Sequence, residues 1–77
     1  MHLYIYSLDK TLFEGETNSV ILPSQDGEIG VLPHHEPLVT ALRKGVVAVG
    51  DGEEKKNFEI EGGFAYTDGA RLIVLAD

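Results

Sequence analysis

The stretch Gly27-Glu28-Ile29-Gly30-Val31-Leu32-Pro33-His34-His35-Glu36-Pro37-Leu38-Val39-Thr40-Ala41-Leu42 decides how this chain is read. Pro33 and Pro37 each fix their own φ and push Leu32 and Glu36 out of the helical region. The middle of the segment is therefore expected to be an extended, kinked connection. Gly27 and Gly30 permit backbone geometries or close approaches that a side chain would block. An apolar strand-like run, Leu38 to Leu42, follows at once. A loop this apolar and this constrained holds a fixed shape, with its histidines presented or pinned.

The same grammar extends in both directions. Upstream, Leu3 and Ile5 share one face of a strand and Tyr4 and Tyr6 the other. Asp9-Lys10 is turn material. Thr11 to Glu16 reads as a second strand, with Gly15 a bulge or close approach. Ser19-Val20-Ile21-Leu22-Pro23 reads as a third, and residues 24–27 as a polar turn. Asp-Gly, a strong hairpin signal, recurs at Asp26-Gly27, Asp51-Gly52 and Asp68-Gly69. It predicts hairpins joining residues 46–49 to 57–61 and residues 63–67 to 71–75. Glu53-Glu54-Lys55-Lys56 reads as a solvated, self-compensating arm. No window sustains helical spacing, so no helix longer than one turn is expected. The pattern predicts a single all-β domain, residues 1–77, folded as an antiparallel sandwich or barrel. Its expected core is Leu3, Ile5, Val20, Leu22, Val47, Phe58, Ile60, Leu72 and Val74.

Composition narrows the function. A chain of 77 residues has a thin core, and the absence of cysteine removes both disulfides and Cys-based metal sites. An obligate partner is the natural supplement to so small a core. A hydrophobic share of 43% with 25% charged residues is that of an ordered globular fold. The net charge of −7 argues against nucleic acid and anionic lipid and favours a basic protein partner. No apolar run is long enough to span a membrane, so direct insertion is not expected. The N-terminus has no signal-peptide pattern, which makes the cytosol the default compartment.

Chemistry-bearing motifs are sparse. His34 and His35, adjacent in an extended segment, point to opposite sides and do not chelate one ion together. Ser7, Ser19 and Ser24 lie in no nucleophile context. There is no phosphate loop, and Gly62-Gly63 reads as a tight turn with close backbone packing. The carboxylates are scattered among turns. No catalytic, cofactor-binding or metal-binding residue is assigned, and the residues alone describe a small acidic binding or structural module.

Taken together, Gly27 to Pro33, His35, Pro37-Leu38 and Thr40-Ala41-Leu42 resemble the epsilon subunit of F-type ATP synthases. So do Phe13-Glu14-Gly15-Glu16, Ser19 to Pro23, Gly62-Gly63-Phe64 and the closing Val74-Leu75-Ala76-Asp77. The resemblance covers nearly the whole chain. It implies the flattened β-sandwich of about ten short strands that forms the N-terminal domain of that subunit. It further implies a non-catalytic part of the central stalk that binds gamma and the c-ring and couples proton translocation to ATP synthesis. By position, Glu28 matches the residue facing the c-ring, and His35, Leu38, Val39 and Thr40 match the gamma side. The implied setting is peripheral, on the cytoplasmic face of a bacterial inner membrane or the stromal face of a thylakoid, without self-association. The chain departs from the family at His34, where a small residue, often glycine, is usual, and at Glu36, where alanine is common. The family's C-terminal helical hairpin, which carries inhibition and in some members ATP binding, is not among these 77 residues. Neither property is therefore expected within residues 1–77, whether they are a naturally short form or part of a longer subunit. A free-standing sandwich binding ligand through Tyr4, Tyr6 and Tyr66 is the alternative, and a small hydrolase or isomerase would need a polar pocket.

Overall fold

The computed structural model describes residues 1–50 and 52–77. Among them are nine strands: β1 (His2–Tyr6), β2 (Thr11–Glu16), β3 (Val20–Ser24), β4 (Gly27–Val31), β5 (Leu38–Leu42), β6 (Gly45–Val49), β7 (Lys56–Ile60), β8 (Gly63–Thr67) and β9 (Arg71–Ala76). The only helical element described is a single 3-10 turn, Gly52–Glu54. The all-β expectation holds, and Glu53, Glu54, Lys55 and Lys56 are all exposed. The Asp51 half of one expected Asp-Gly turn lies outside the described residues.

The strands follow the path β2-β1-β9-β8-β5-β3-β6-β7, with β4 on the outer flank of β3. Two layers result. The first is β2-β1-β9-β8-β5 and the second is β4-β3-β6-β7. Of the eight described pairings seven are antiparallel; β1 and β9 pair in parallel, with Leu3 beside Leu72 and Ile5 beside Val74. This one departure from the antiparallel expectation joins the first strand to the last. Parallel neighbours need a long crossover, and here nearly the whole domain serves as that connection.

The chain changes layers at a corner. Leu42 of β5 pairs with Ser24, whereas Ala48 and Val49 of β6 pair with Ile21 and Val20. Two residues on β3 between these pairs thus face five on the β5–β6 path, and the excess of three bulges at residues 43–45. Arg43 N–H still reaches the Pro23 carbonyl at 2.9 Å. A Cβ on Gly45 would lie 2.9 Å from the Pro23 Cβ, so the corner requires a residue without one.

Eight of the nine expected core residues are buried, each at 5% exposure or less. Phe58 is the exception. It is half-buried on edge strand β7, its ring meeting Phe13 of β2 edge-on at 5.7 Å between centroids. These two rings bridge the seam where the layers do not pair. Val31, Leu42, Val49, Ala65 and Ala76 complete the core. Gly15 is not a bulge: it pairs regularly with Leu3, and the register shifts at Leu12, between Phe13 and Thr11. Two buried hydroxyls organise the hairpins. Ser24 Oγ donates to the Gly27 carbonyl at 2.6 Å, and Thr67 Oγ1 donates to the Arg71 carbonyl at 2.9 Å while accepting from Gly69 N–H.

Gly63 has φ +136°, and a Cβ there would collide with the Leu75 carbonyl oxygen. Gly30 has open space around it and no such φ. Gly63→Ala is therefore expected to cost about 3 kcal/mol or more, and Gly30→Ala under about 1 kcal/mol. Denaturant midpoints of the two variants check this; equal midpoints would refute the tight packing of β8 on β9.

Candidate functional site

Alternation along β8 is inverted for a surface strand. The small Ala65 and Thr67 point inward, and the bulky Phe64 and Tyr66 point out, 59% and 42% exposed. Register then lines up their neighbours. Tyr66 lies opposite Val39 on β5 and Ile73 on β9, and Ile73 lies beside Tyr4 on β1. Phe64 lies opposite Ala41 and Leu75, and Leu75 lies beside Tyr6. Two rows of apolar side chains thus cross the outer face of the first layer, with Val39 68% and Leu75 55% exposed. Tyr4 and Tyr6 stack at 5.8 Å and 20°. Covering a large apolar side chain is worth about 1.5–3 kcal/mol, and isolated soluble domains rarely leave so many contiguous ones open.

A polar row closes one end of this face. Glu16, His2 and Arg71 are neighbours across β2, β1 and β9. His2 Nδ1 lies 2.9 Å from Glu16 and Nε2 3.6 Å from Glu14. The hydrogen bond from His2, with the N-terminal ammonium at 3.5 Å, holds the Glu16 carboxyl below its ordinary range. The Arg71 and Ala70 amides do the same for Asp68, helped by the Arg71 guanidinium.

The residues singled out from sequence fall on different surfaces. Val39 is in the middle of the apolar face. Leu38 and Thr40, one residue either side, point toward the interior and are half-buried. They retain access because β5 meets β3 only at Leu42. His35 is half-buried, its Nδ1 donating to the Glu36 carbonyl at 2.8 Å, which fixes the ring. Glu28, which follows the Asp26-Gly27 turn in sequence, is exposed within β4 opposite Pro23 rather than at a loop tip. Tyr66 was singled out only with Tyr4 and Tyr6 as an aromatic platform, and Phe64 and Leu75 were not assigned to a surface; the inverted alternation of Gly63–Thr67 was the available signal.

The segment before β5 is a tight turn, not an extended connection throughout. His35 N–H reaches the Leu32 carbonyl at 3.1 Å, Pro33 occupies the second position and His34 has φ +69°. That is a type II turn, whose third position favours glycine. His34 N–H is held by the Gly69 carbonyl at 2.9 Å, so the turn is pinned to the β8–β9 hairpin. The turn explains why a small residue is usual there.

An open cleft of about 450 Å³ lies between the β2–β3 and β6–β7 connections, lined by Phe13, Glu16, Thr17, Asn18, Ser19 and Lys56 among others. No histidine lines it to activate Ser19, and the His2 hydrogen bond that lowers the Glu16 carboxyl disfavours it as a proton donor. Among the described residues no three potential metal ligands converge.

Comparison with known proteins defines the class. The chain matches the family described as "ATP synthase, Delta/Epsilon chain, beta-sandwich domain" over residues 1–77. It is 40% identical over 77 residues to the ATP synthase epsilon chain of Caulobacter vibrioides, covering all of this chain and 90% of that one. It is 36% identical to that of Leptospira borgpetersenii, covering 61% of that chain. The chain belongs to the ATP synthase delta/epsilon family, and its domain is a non-catalytic one. Its fold superimposes on a chain of the Euglena gracilis mitochondrial ATP synthase with a TM-score of 0.87 at 27% identity, covering 96% of this chain and 48% of that one. A chain of the Tetrahymena thermophila mitochondrial ATP synthase central stalk shares the fold with a TM-score of 0.77 at 10% identity. The chain thus spans most of one bacterial relative and little more than half of others.

Two outcomes follow from the site's backbone and electrostatics. His34→Gly relieves a left-handed φ that costs a side chain about 1–2 kcal/mol, less the unfolded-state entropy of glycine, and is expected to raise stability by about 0.5–1 kcal/mol in a thermal melt. An unchanged or lowered melting temperature would contradict the turn assignment. Asp68 has a lowered folded pKa, so its contribution is complete above its unfolded value, about 3.9, and is lost as pH falls through the folded one. Asp68→Asn should therefore flatten the decline of the urea midpoint below about pH 4. A decline as steep as that of the parent chain would show that Asp68 does not drive it.

Proposed function

We propose that this chain acts as a rotor-stalk subunit of an F-type ATP synthase, binding gamma and the c-ring and coupling proton translocation to ATP synthesis. The observation that carries the reading is the two-row apolar face of β1, β9, β8 and β5, on a domain of this family. Gamma is its occupant in this reading. Val39 contributes from the face, and His35, Leu38 and Thr40 contribute from the adjoining β4–β5 turn and the open flank of β5. Glu28 belongs to the other layer and is assigned to the c-ring. The domain is held peripherally at the membrane through these subunits; among the described residues no helix is long and apolar enough to cross a bilayer. Tyr4 and Tyr6 do form a half-buried aromatic pair on the outer face, but Ile73 separates them from Tyr66 and aliphatic side chains fill the rest of the face. That composition suits a protein surface better than a sugar ring.

The two assignments separate by mutation. An exposed ion pair contributes only about 0–1 kcal/mol, so Glu28→Lys is expected to impair proton-driven ATP synthesis while gamma still co-purifies. Val39→Asp buries an unpaired charge in the apolar interface and is expected to release the chain from gamma. The measurements are a gamma pull-down and ATP synthesis in membrane vesicles. Loss of gamma binding with Glu28→Lys, or retention with Val39→Asp, would reverse the assignment of faces.

A further inference from the structure

Strand β4 carries a free edge. It pairs with β3 alone, through a regular five-residue register from Val20–Val31 to Ser24–Gly27. Which backbone groups point outward follows from β3. The Pro23 carbonyl is taken by Arg43 N–H and the Ser19 carbonyl by Gly50 N–H, so odd-numbered residues of β3 turn their polar groups away from β4. Their partners Glu28 and Gly30 therefore form non-hydrogen-bonded pairs with β3 and direct their own N–H and C=O groups off the sheet. Both residues are exposed, neither has another backbone partner among the described residues, and a Cβ at Gly30 would meet nothing within 4 Å.

Proteins guard such edges with lysine, proline, bulges or a covering element. The other two terminal strands are guarded. β2 has a register shift and faces β7 across the Phe13–Phe58 contact, where the Lys56 ammonium lies 5.7 Å from the Phe13 ring. β4 has no bulge, no proline and no lysine.

We infer that the β4 edge is a docking site for an extended, basic polypeptide segment, which adds as a strand and takes up the N–H and C=O groups of Glu28 and Gly30. Charge selects the occupant. The Glu28 carboxylate projects from the outer face at the edge, and the domain carries a net charge of −7. A lysine or arginine of the incoming strand would sit beside Glu28. Its alternate, apolar side chains would cover the half-buried Ile29, which already packs on the core. A second copy of this chain fits poorly, because antiparallel self-pairing brings two Glu28 side chains together on one face of two acidic domains. The inference rests on Glu28 being partner-facing, and it adds the backbone mode by which a partner is held.

The test uses the chain alone with a blocked hexapeptide of alternating valine and lysine, so it does not depend on gamma or the c-ring. Peptide binding is expected to shift the amide resonances of Glu28 and Gly30 and slow their hydrogen exchange. Gly30→Pro removes one outward donor without touching the β3 pairing and is expected to weaken binding about tenfold. Gly30→Ala should bind as the parent does, and a valine–glutamate peptide should bind more weakly. Should Gly30→Pro fail to fold, the slowed Gly30 exchange in the parent chain decides alone. Absence of shifts at Glu28 and Gly30, equal binding by a folded Gly30→Pro, or protection of these amides by dimerisation of the free chain would each overturn the inference.

Discussion

The parallel pairing of β1 with β9 is the constraint on which the remaining structure depends. It seats Leu3 beside Leu72 and Ile5 beside Val74, four side chains at 1% exposure or less at the centre of the core. The same register sets Tyr4 beside Ile73 and Tyr6 beside Leu75 on the opposite surface. Because side chains alternate strictly along a strand, one pairing decides both the inside and the outside of the layer. A slip of one residue would expose the core rows and bury the tyrosines.

A domain of 77 residues cannot cover both surfaces of two layers, and the apolar outer face is the consequence. Phe64, Tyr66, Val39 and Leu75 are left open while Ala65 and Thr67 face inward. In the proposed reading, covering this face on assembly completes what the thin core leaves undone. Glu28 and the free edge of β4 lie on the second layer, so the geometry separates an exposed apolar face from a polar, backbone-directed edge.

The local grammar of the fold was legible. Alternation in residues 3–6 and the Asp-Gly pairs at positions 26–27 and 68–69 located strands and turns, because those signals are set by neighbours in sequence. What escaped was set by distant parts of the chain. Nothing in residues 2–6 or 71–76 announces that they pair in parallel. The type II turn at residues 32–35 was hidden because His34 stands where glycine would have signalled it. On β5 both sides of the strand are apolar, so alternation separates Leu38 and Thr40 from Val39 but does not say which side faces out. Phe58 reads as core by pattern and lies half-exposed because β7 ends the sheet.

The central claim is that the outer face of β1, β9, β8 and β5 is covered by another subunit. The chain has no cysteine, so single-cysteine variants Phe64→Cys on the apolar face and Glu59→Cys on the far edge strand β7, away from Glu28 and β4, report the two layers without interference. Their maleimide labelling rates, compared between the free chain and the assembled ATP synthase, test the claim most directly. The account predicts strong protection of position 64 on assembly, with position 59 still reactive. Unchanged labelling at position 64 in a complex that retains the chain would contradict it.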